Sequence, residues 1–427
     1  MLVGSQTRRV AILGGVRTPF ARAHGSFANV GNQDMLTAAF KGVVDRFGLR
    51  GERLDDVAGG AVMKHSRDWN LVRECVLGCG LAPETPGVDL QRACGTSLEA
   101  AVLIGMKIEL GMIECGMAGG VDTVSDPPVV FGRDYQQLLL RSFRGRTFME
   151  KVKPFFGVRP RHFKPVLPGV VEPRTGLSMG QSTELMVKQW KVTREEQDLL
   201  ALESHRRAAA AWESGFYDDL VIEYQGLKTD NNVRRDSSLD KLAKLKPSFD
   251  FSGAGSLTAG NSSPLTDGAS AVLLASEEWA RARRLPVRAY LSHAKVAAVD
   301  FVNKEGLLMA PAYAVPRMLA DARLTLQDFD YYEIHEAFAA QVLCTLKAWE
   351  SAEFCRDRLG LAKPLGSIDR ARLNVMGGSV AIGHPFAATG TRIVATLAKI
   401  LEQKNARRGL VSVCTAGGMG VTAILER

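Results

Sequence analysis

Short apolar runs rich in Val, Ile and Ala alternate along the chain with stretches whose apolar residues recur every three or four positions. The first pattern suits buried strands and the second amphipathic helices. The spacing predicts strands over 9–13, 57–63, 88–91 and 115–119, with helices over 34–47, 71–79 and 95–110 between them. A fifth strand, 269–275, follows only after a long gap. From about residue 285 the rhythm restarts, with strands over 289–296, 331–334, 410–414 and 422–425 and helices over 312–322, 336–349 and 387–401. This reads as a second pass through one plan, so two similar α/β halves are expected to bury a shared core between helices.

The stretch 127–252 breaks the rhythm: it is richer in charge, Pro and Arg, and it interrupts the first half. The expected organisation is a first half made of 1–126 and 253–285, an inserted loop domain over 127–252, and a second half over 286–427. Inserts of this size usually serve as lids or binding surfaces.

Composition narrows the class. The chain has 427 residues, 46% of them apolar and 23% charged, the balance of a globular enzyme with room for two or three cores. Seven cysteines, an odd number without regular spacing, fit a reducing compartment better than a disulfide framework. The first residues, MLVGSQTRRVAILGG, hold an apolar run too short for a signal-peptide core, and no later stretch reaches the ~18 to 20 apolar residues of a membrane span. A cytoplasmic protein is expected.

The net charge of +8 changes the picture only locally. Between Arg133 and Lys164, nine Lys and Arg face only Asp134 and Glu150, a local +7, so the rest of the chain is nearly neutral. The basic segment carries no recognised nucleic-acid motif, and no nucleic-acid partner is expected. Within 132–168, Leu138, Leu139, Leu140, Phe143, Phe148, Phe155, Phe156 and Phe163 are interleaved with the basic residues. Such a mixture suits a membrane interface or a partner surface. The plainer reading is a solvated loop whose apolar side packs on the body.

Three segments carry chemistry. In VDLQRACGTSLEAAVLIGMKIELG a strand leads to Cys94 and then to a helix opening at Gly95, Thr96 and Ser97. A thiol there meets the positive end of the helix dipole, which favours thiolate, although a lone cysteine is more often a packing residue. In NVMGGSVAIGHPFAATGTR, His384 lies between Gly383 and Pro385 just before a helix, where an imidazole can take a thiol proton or donate to an oxyanion. In VSVCTAGGMGVTAILER, Cys414 ends a strand before a glycine-rich bend whose amides can face a developing oxyanion. Other features carry less. Cys75 and Cys79 have no second pair to complete a metal site, and the glycines of GGVRTPF lack dinucleotide spacing. His24, His65, His162, His205 and His293 have no recognisable partners in the sequence.

With these three motifs in this order, and with HEAFAAQ, MGQSTEL, NNVRRDSSLDKLAKLKPSFD and LTAGNSSPLTDGA, the sequence resembles the thiolase family over nearly its whole length. The resemblance implies the thiolase fold, two similar five-layered α-β-α-β-α halves with an inserted loop domain, in a homodimer or a dimer of dimers. It implies acyl transfer between acyl-CoA and CoA with no permanently bound cofactor and no metal. Cys94 would attack the 3-keto carbon, His384 would accept its proton, and Cys414 would protonate the leaving acetyl-CoA enolate. One oxyanion hole would use His384 with His335, the other the amides of Cys94 and Ala416; Met179, Arg234, Ser263 and Phe338 would bind CoA.

Many thiolases carry Asn where this chain has His335 and Gly where it has Ala416. The HEAF form is similar to that of the β-subunits of fatty-acid oxidation trifunctional complexes, which also carry a basic apolar segment like 132–168. This implies fatty-acid β-oxidation, a hydratase/dehydrogenase α-subunit as partner, and peripheral contact with the inner membrane. The segment VMKHSRDWNLVRE departs from that subgroup. Three alternatives stand beside this reading: an acetoacetyl-CoA-forming biosynthetic thiolase, a β-ketoacyl synthase, and a non-catalytic membrane or partner adaptor. The synthase usually pairs its cysteine with two histidines or with His and Asn, so Cys414 argues against it.

Overall fold

The computed structural model describes residues 7–169 and 171–427; residues 1–6, part of the stretch read above for a leader, lie outside them. The first half runs β1 (Val10–Arg17), α1 (Asn32–Phe47), β2 (Asp56–Gly59), α2 (Leu71–Gly78), β3 (Val88–Asp89), α3 (Thr96–Glu109), β4 (Cys115–Asp122) and, after the insert, β5 (Thr266–Ser276). The second half runs β6 (Ala289–Ala298), α4 (Ala310–Ala322), β7 (Tyr331–Ile334), α5 (Ala339–Glu350), α6 (Thr389–Gln403), β8 (Arg408–Thr415) and β9 (Met419–Glu426).

The two halves repeat one topology. In each, the first strand pairs antiparallel with the last, the last antiparallel with the one before it, and that one parallel with the second. The halves join where β1 pairs with β6, Val10 opposite Leu291 and Ile12 opposite Ala289, giving a continuous mixed sheet in the order β7-β8-β9-β6-β1-β5-β4-β2-β3.

Alternation along the strands sorts the side chains into layers. Ile12, Leu274 and Val411 face an inner core with Leu98, Ile104, Ile393 and Leu397 of α3 and α6. Leu13 and Leu273 face outward onto Met35, Leu36 and Phe40 of α1. On the far side Leu410 and Ile424 pack against Val315, Met318 and Val342 of α4 and α5. Helices, sheet, paired central helices, sheet and helices thus make five layers. The central pair comes very close: a Cβ on Gly390 of α6 would lie 2.2 Å from the backbone nitrogen of Leu98 in α3.

Several predicted ends shift. The strand expected over 57–63 stops at Gly59, because the amides of Val62 and Met63 turn away to the Asp122 carboxylate. The helix expected from 336 starts at Ala339, and the Glu336 carboxylate is held instead by Ser204, Asn374 and Val380. Between 127 and 252 there is more regular structure than a loop domain implies. Helices Met179–Trp190 and Arg194–Glu213 pack on α5 through Met186, Val187 and Leu200.

The basic segment forms an amphipathic helix, Arg133–Arg144, and a short helix, Phe148–Val152, neither with a buried residue. Phe143, Phe148 and Phe156 are 86%, 78% and 79% exposed, so the apolar side does not pack on the body as the plainer reading expected. No helix among the described residues is long and apolar enough to cross a membrane.

Candidate active site

Cys94 precedes α3 on a sharply bent backbone. Ala93, a non-glycine residue, sits at φ 43°, a left-handed conformation that costs energy and persists where surrounding contacts enforce it. Here Thr96 enforces it: its hydroxyl accepts the Arg92 amide at 2.9 Å and donates to the Ala93 carbonyl at 2.7 Å. Gly95 then lets the second half approach, since a Cβ there would lie 2.9 Å from Val421 and 3.0 Å from Thr415. That approach brings the Cys414 strand end to the Cys94 turn.

Cys414 lies near the end of β8, followed by a bend in which Gly417 and Gly418 take positive φ of 75° and 69°. The Ala416 amide pulls the pKa of the Cys94 thiol down, and the next amide, of Gly417, donates to the Glu172 carboxylate at 2.6 Å. His384 is set by Gly383 at φ 110°, where a Cβ would meet Thr266 at 2.7 Å and Asn232 at 2.8 Å. The His384 amide donates to the Thr266 hydroxyl, and the Asp122 carboxylate takes the Ala387 amide at 2.7 Å. Asp122 thereby ties the histidine turn to Val62 and Met63.

Cys94, His384, Cys414 and Ala416 line one cavity of about 320 Å³, together with Met179, Ser263, Phe338, Phe249 and Leu308. Met179, Ser263 and Phe338, expected to bind CoA, thus share the cavity with Cys94. Arg234 does not: it lines a neighbouring cavity of about 340 Å³ with Arg22, His205 and Lys241, and Pro264 borders both. His335, just past the end of β7, lies against His384 with ring centroids 4.1 Å apart and the rings tilted by 45°. Among the histidines left aside, His205 does have a partner, accepting the Arg234 amide at Nδ1, and His65 bonds the Asp126 carbonyl.

Burial decides the electrostatics. It pushes the Cys94 thiol up to about 12, against the opposing pull of the Ala416 amide and its own, so the helix start does not hold a thiolate as expected. Cys414 is likewise raised well above the ordinary thiol range, by burial and by Cys94 beside it. Burial and the nearby Arg392 cation lower His384 to about 3, and burial, with His384 and Arg392, holds His335 well below the ordinary imidazole range. At neutral pH the site therefore holds two thiols and two uncharged imidazoles. The Nε2 atoms of both rings are buried without a protein partner, while Nδ1 of His384 meets Thr389 at 2.6 Å and Nδ1 of His335 meets Ser379 at 2.9 Å.

Asp122, Thr389, Ser379, Arg392 and Asn232 escaped the sequence reading. Ser379 and Thr389 lie five residues either side of His384, but nothing in a linear motif says which hydroxyl faces which ring. No group of three or more His, Cys, Asp or Glu able to hold a metal occurs among the described residues.

A duplicated α/β fold with two thiols and an imidazole around one cavity, and a second imidazole behind the first, defines an acyl-transferring enzyme. The N-terminal domain of thiolase matches residues 10–278 and the C-terminal domain residues 285–427. The chain belongs to the thiolase family. Proteins named 3-ketoacyl-CoA thiolase from Yersinia pestis (strain Pestoides F) and Yersinia pseudotuberculosis (serotype O:3, strain YPIII) are each 39% identical to it, over all of this chain and 98% of their own. The crystal structure of the Bacillus anthracis acetyl-CoA acetyltransferase matches with a TM-score of 0.82 and 30% identity, over 99% of this chain and all of that one. A thiolase from Ascaris suum in complex with coenzyme A matches at 0.80 and 25% identity, over 98% and 100%.

Proposed function

We propose that this thiolase cleaves 3-oxoacyl-CoA with CoA, giving acetyl-CoA and a shortened acyl-CoA, through an acyl thioester on Cys94. The observation that carries this reading is the shared cavity of Cys94, His384 and Cys414. His384 Nε2 takes the Cys94 proton as the sulfur attacks C3. The new C3 oxyanion lies beside the attacking residue, so the Cys94 and Ala416 amides receive it. The C2–C3 bond then breaks, its electron pair going to the acetyl-CoA enolate. The enolate oxygen takes hydrogen bonds from the protonated His384 and from His335, and its carbon takes the Cys414 proton. In the second half the Cys414 thiolate deprotonates incoming CoA, whose sulfur displaces Cys94 from the acyl group; Cys94 leaves with the proton held on His384. Two acyl transfers replace one carbon–carbon cleavage.

CoA enters past Met179, Ser263 and Phe338, with Arg234, in the adjoining cavity, placed for its phosphates. Loss of enolate absorbance on mixing with acetoacetyl-CoA and CoA, together with an acyl adduct on Cys94 by mass spectrometry, tests the reading; no loss and no adduct would refute it.

A role in fatty-acid β-oxidation, in the cytoplasm and at the inner membrane beside a hydratase/dehydrogenase α-subunit, belongs to the same proposal. It is supported by the exposed phenylalanines of the basic segment, which suit an anionic lipid surface. Assembly as a homodimer or a dimer of dimers is part of it too. Thiolysis rates across short, medium and long 3-oxoacyl-CoAs check the physiological substrate.

A further inference from the structure

The two imidazoles of the site differ in what holds them. His335 Nδ1 meets the Ser379 hydroxyl at 2.9 Å, and the same oxygen receives Nη2 of Arg392 at 2.7 Å. A guanidinium only donates, so Ser379 spends one lone pair on Arg392. Its own proton has a single acceptor among the described residues, which is His335 Nδ1. A ring that accepts at Nδ1 and is uncharged must carry its proton on Nε2. Nε2 is the buried ring nitrogen with no protein partner.

His384 reads the other way. Its Nδ1 meets Thr389 at 2.6 Å, and the Thr389 hydroxyl also reaches the Pro385 carbonyl, which can only accept, at 3.3 Å. Both contacts are used when Thr389 donates to Pro385 and accepts from His384 Nδ1–H. Nε2 of His384 is then bare, as a base for Cys94 requires.

We propose that Ser379, anchored by Arg392, fixes His335 as the Nε2–H tautomer, so that two rings 4.1 Å apart enter each turnover in opposite states, one a standing donor and the other a base. Ser379 and Arg392 are positioning residues, and the proposal rests on the thiolase reading above. Arg392 suits the task because it is buried in α6 with the Glu333 carboxylate 3.9 Å away, whose charge opposes the lowering that burial imposes on the guanidinium.

Side-chain 15N–1H correlation spectra of histidine-labelled full-length protein read the tautomers, His335 being identified by the signal lost in His335→Gln. The expected result is Nε2–H for His335 and Nδ1–H for His384. In Ser379→Ala the His335 signal should shift towards a tautomer mixture, and kcat for acetoacetyl-CoA thiolysis should fall roughly 10- to 100-fold, less than the ~10²- to 10³-fold of removing an oxyanion donor outright because the ring itself remains. KM should move less than about threefold, since the donor acts on charge that grows only in the transition state. Ser379→Thr, which restores the hydroxyl, should recover both readouts. Nδ1–H on His335 in the unaltered protein overturns the proposal without any variant, as does a folded Ser379→Ala with full kcat. Unaltered protein that cleaves no acetoacetyl-CoA overturns the thiolase reading instead, and the spectra still decide the tautomer.

Discussion

The rings of His335 and His384 meet with centroids 4.1 Å apart, tilted by 45° to one another, and each is moored at Nδ1 to a different hydroxyl. Two imidazoles this close cannot both be protonated without strong repulsion, and burial disfavours charging either one. Catalysis therefore starts from an uncharged site and creates charge only as the substrate arrives.

The first consequence concerns Cys94. Because burial lifts its thiol to about 12, alkylation by iodoacetamide should accelerate by about tenfold per pH unit between 7 and 9, without a plateau. Stopped alkylation time courses across that range give the profile. A plateau near neutrality would mean a preformed thiolate and would contradict the burial-dominated site.

Stability should depend on acid through His384. Its imidazole titrates at about 3 when folded against about 6.5 when unfolded, so between those values the unfolded chain holds a proton that the folded chain lacks. Its contribution is complete above about 6.5 and is lost as the pH falls towards 3, at up to about 1.4 kcal/mol per pH unit. Urea midpoints from pH 6.5 to 4.5 should fall less steeply in His384→Asn than in the unaltered protein; parallel slopes would show that the ring is accessible to protons when folded.

The two thiols should separate cleanly. Cys94→Ser should lower thiolysis on the order of 10⁴-fold and abolish the acyl adduct, as losing the nucleophile of a coupled set does. Cys414→Ala should still accept an acyl group from acyl-CoA at Cys94, while carbon–carbon cleavage collapses. Intact-protein mass spectrometry beside the absorbance assay distinguishes the two, and a Cys414→Ala protein with full cleavage rates would remove the proton-donor role.

The crossing of the central helices is also testable. Gly390→Ala would thrust a methyl to 2.2 Å from the Leu98 nitrogen, against backbone that has no rotamer by which to yield. A loss of about 1–3 kcal/mol or more is expected from overpacking, read as a lower urea midpoint at unchanged m. An unchanged midpoint would show that α3 and α6 are more loosely packed than described.

Anionic vesicles should carry the protein upward in a flotation gradient at low salt, and high salt should release it. Phe143→Glu combined with Phe156→Glu, at positions 86% and 79% exposed, should leave it at the bottom with thiolysis unchanged. Failure of the unaltered protein to float at low salt would remove the membrane contact.

The sequence by itself determined the alternation of strands and helices, the restart near residue 285, and Cys94, His384 and Cys414 as the residues to watch. These are local properties, because an apolar period, a cysteine before a helix or a Gly-His-Pro turn is written in consecutive residues. Tertiary structure alone decided what those residues meet. Thr96 was visible beside Cys94, yet the rigid turn also needed Gly95 to admit Thr415 and Val421 from more than 300 positions away. Ser379 and Arg392 gained meaning only when folding brought both to His335, and Arg234 was separated from the other expected CoA contacts by Pro264. Burial reversed the helix-start expectation for the Cys94 thiol, because the cost of removing charge from water depends on everything packed around a group, and a linear sequence does not carry that information.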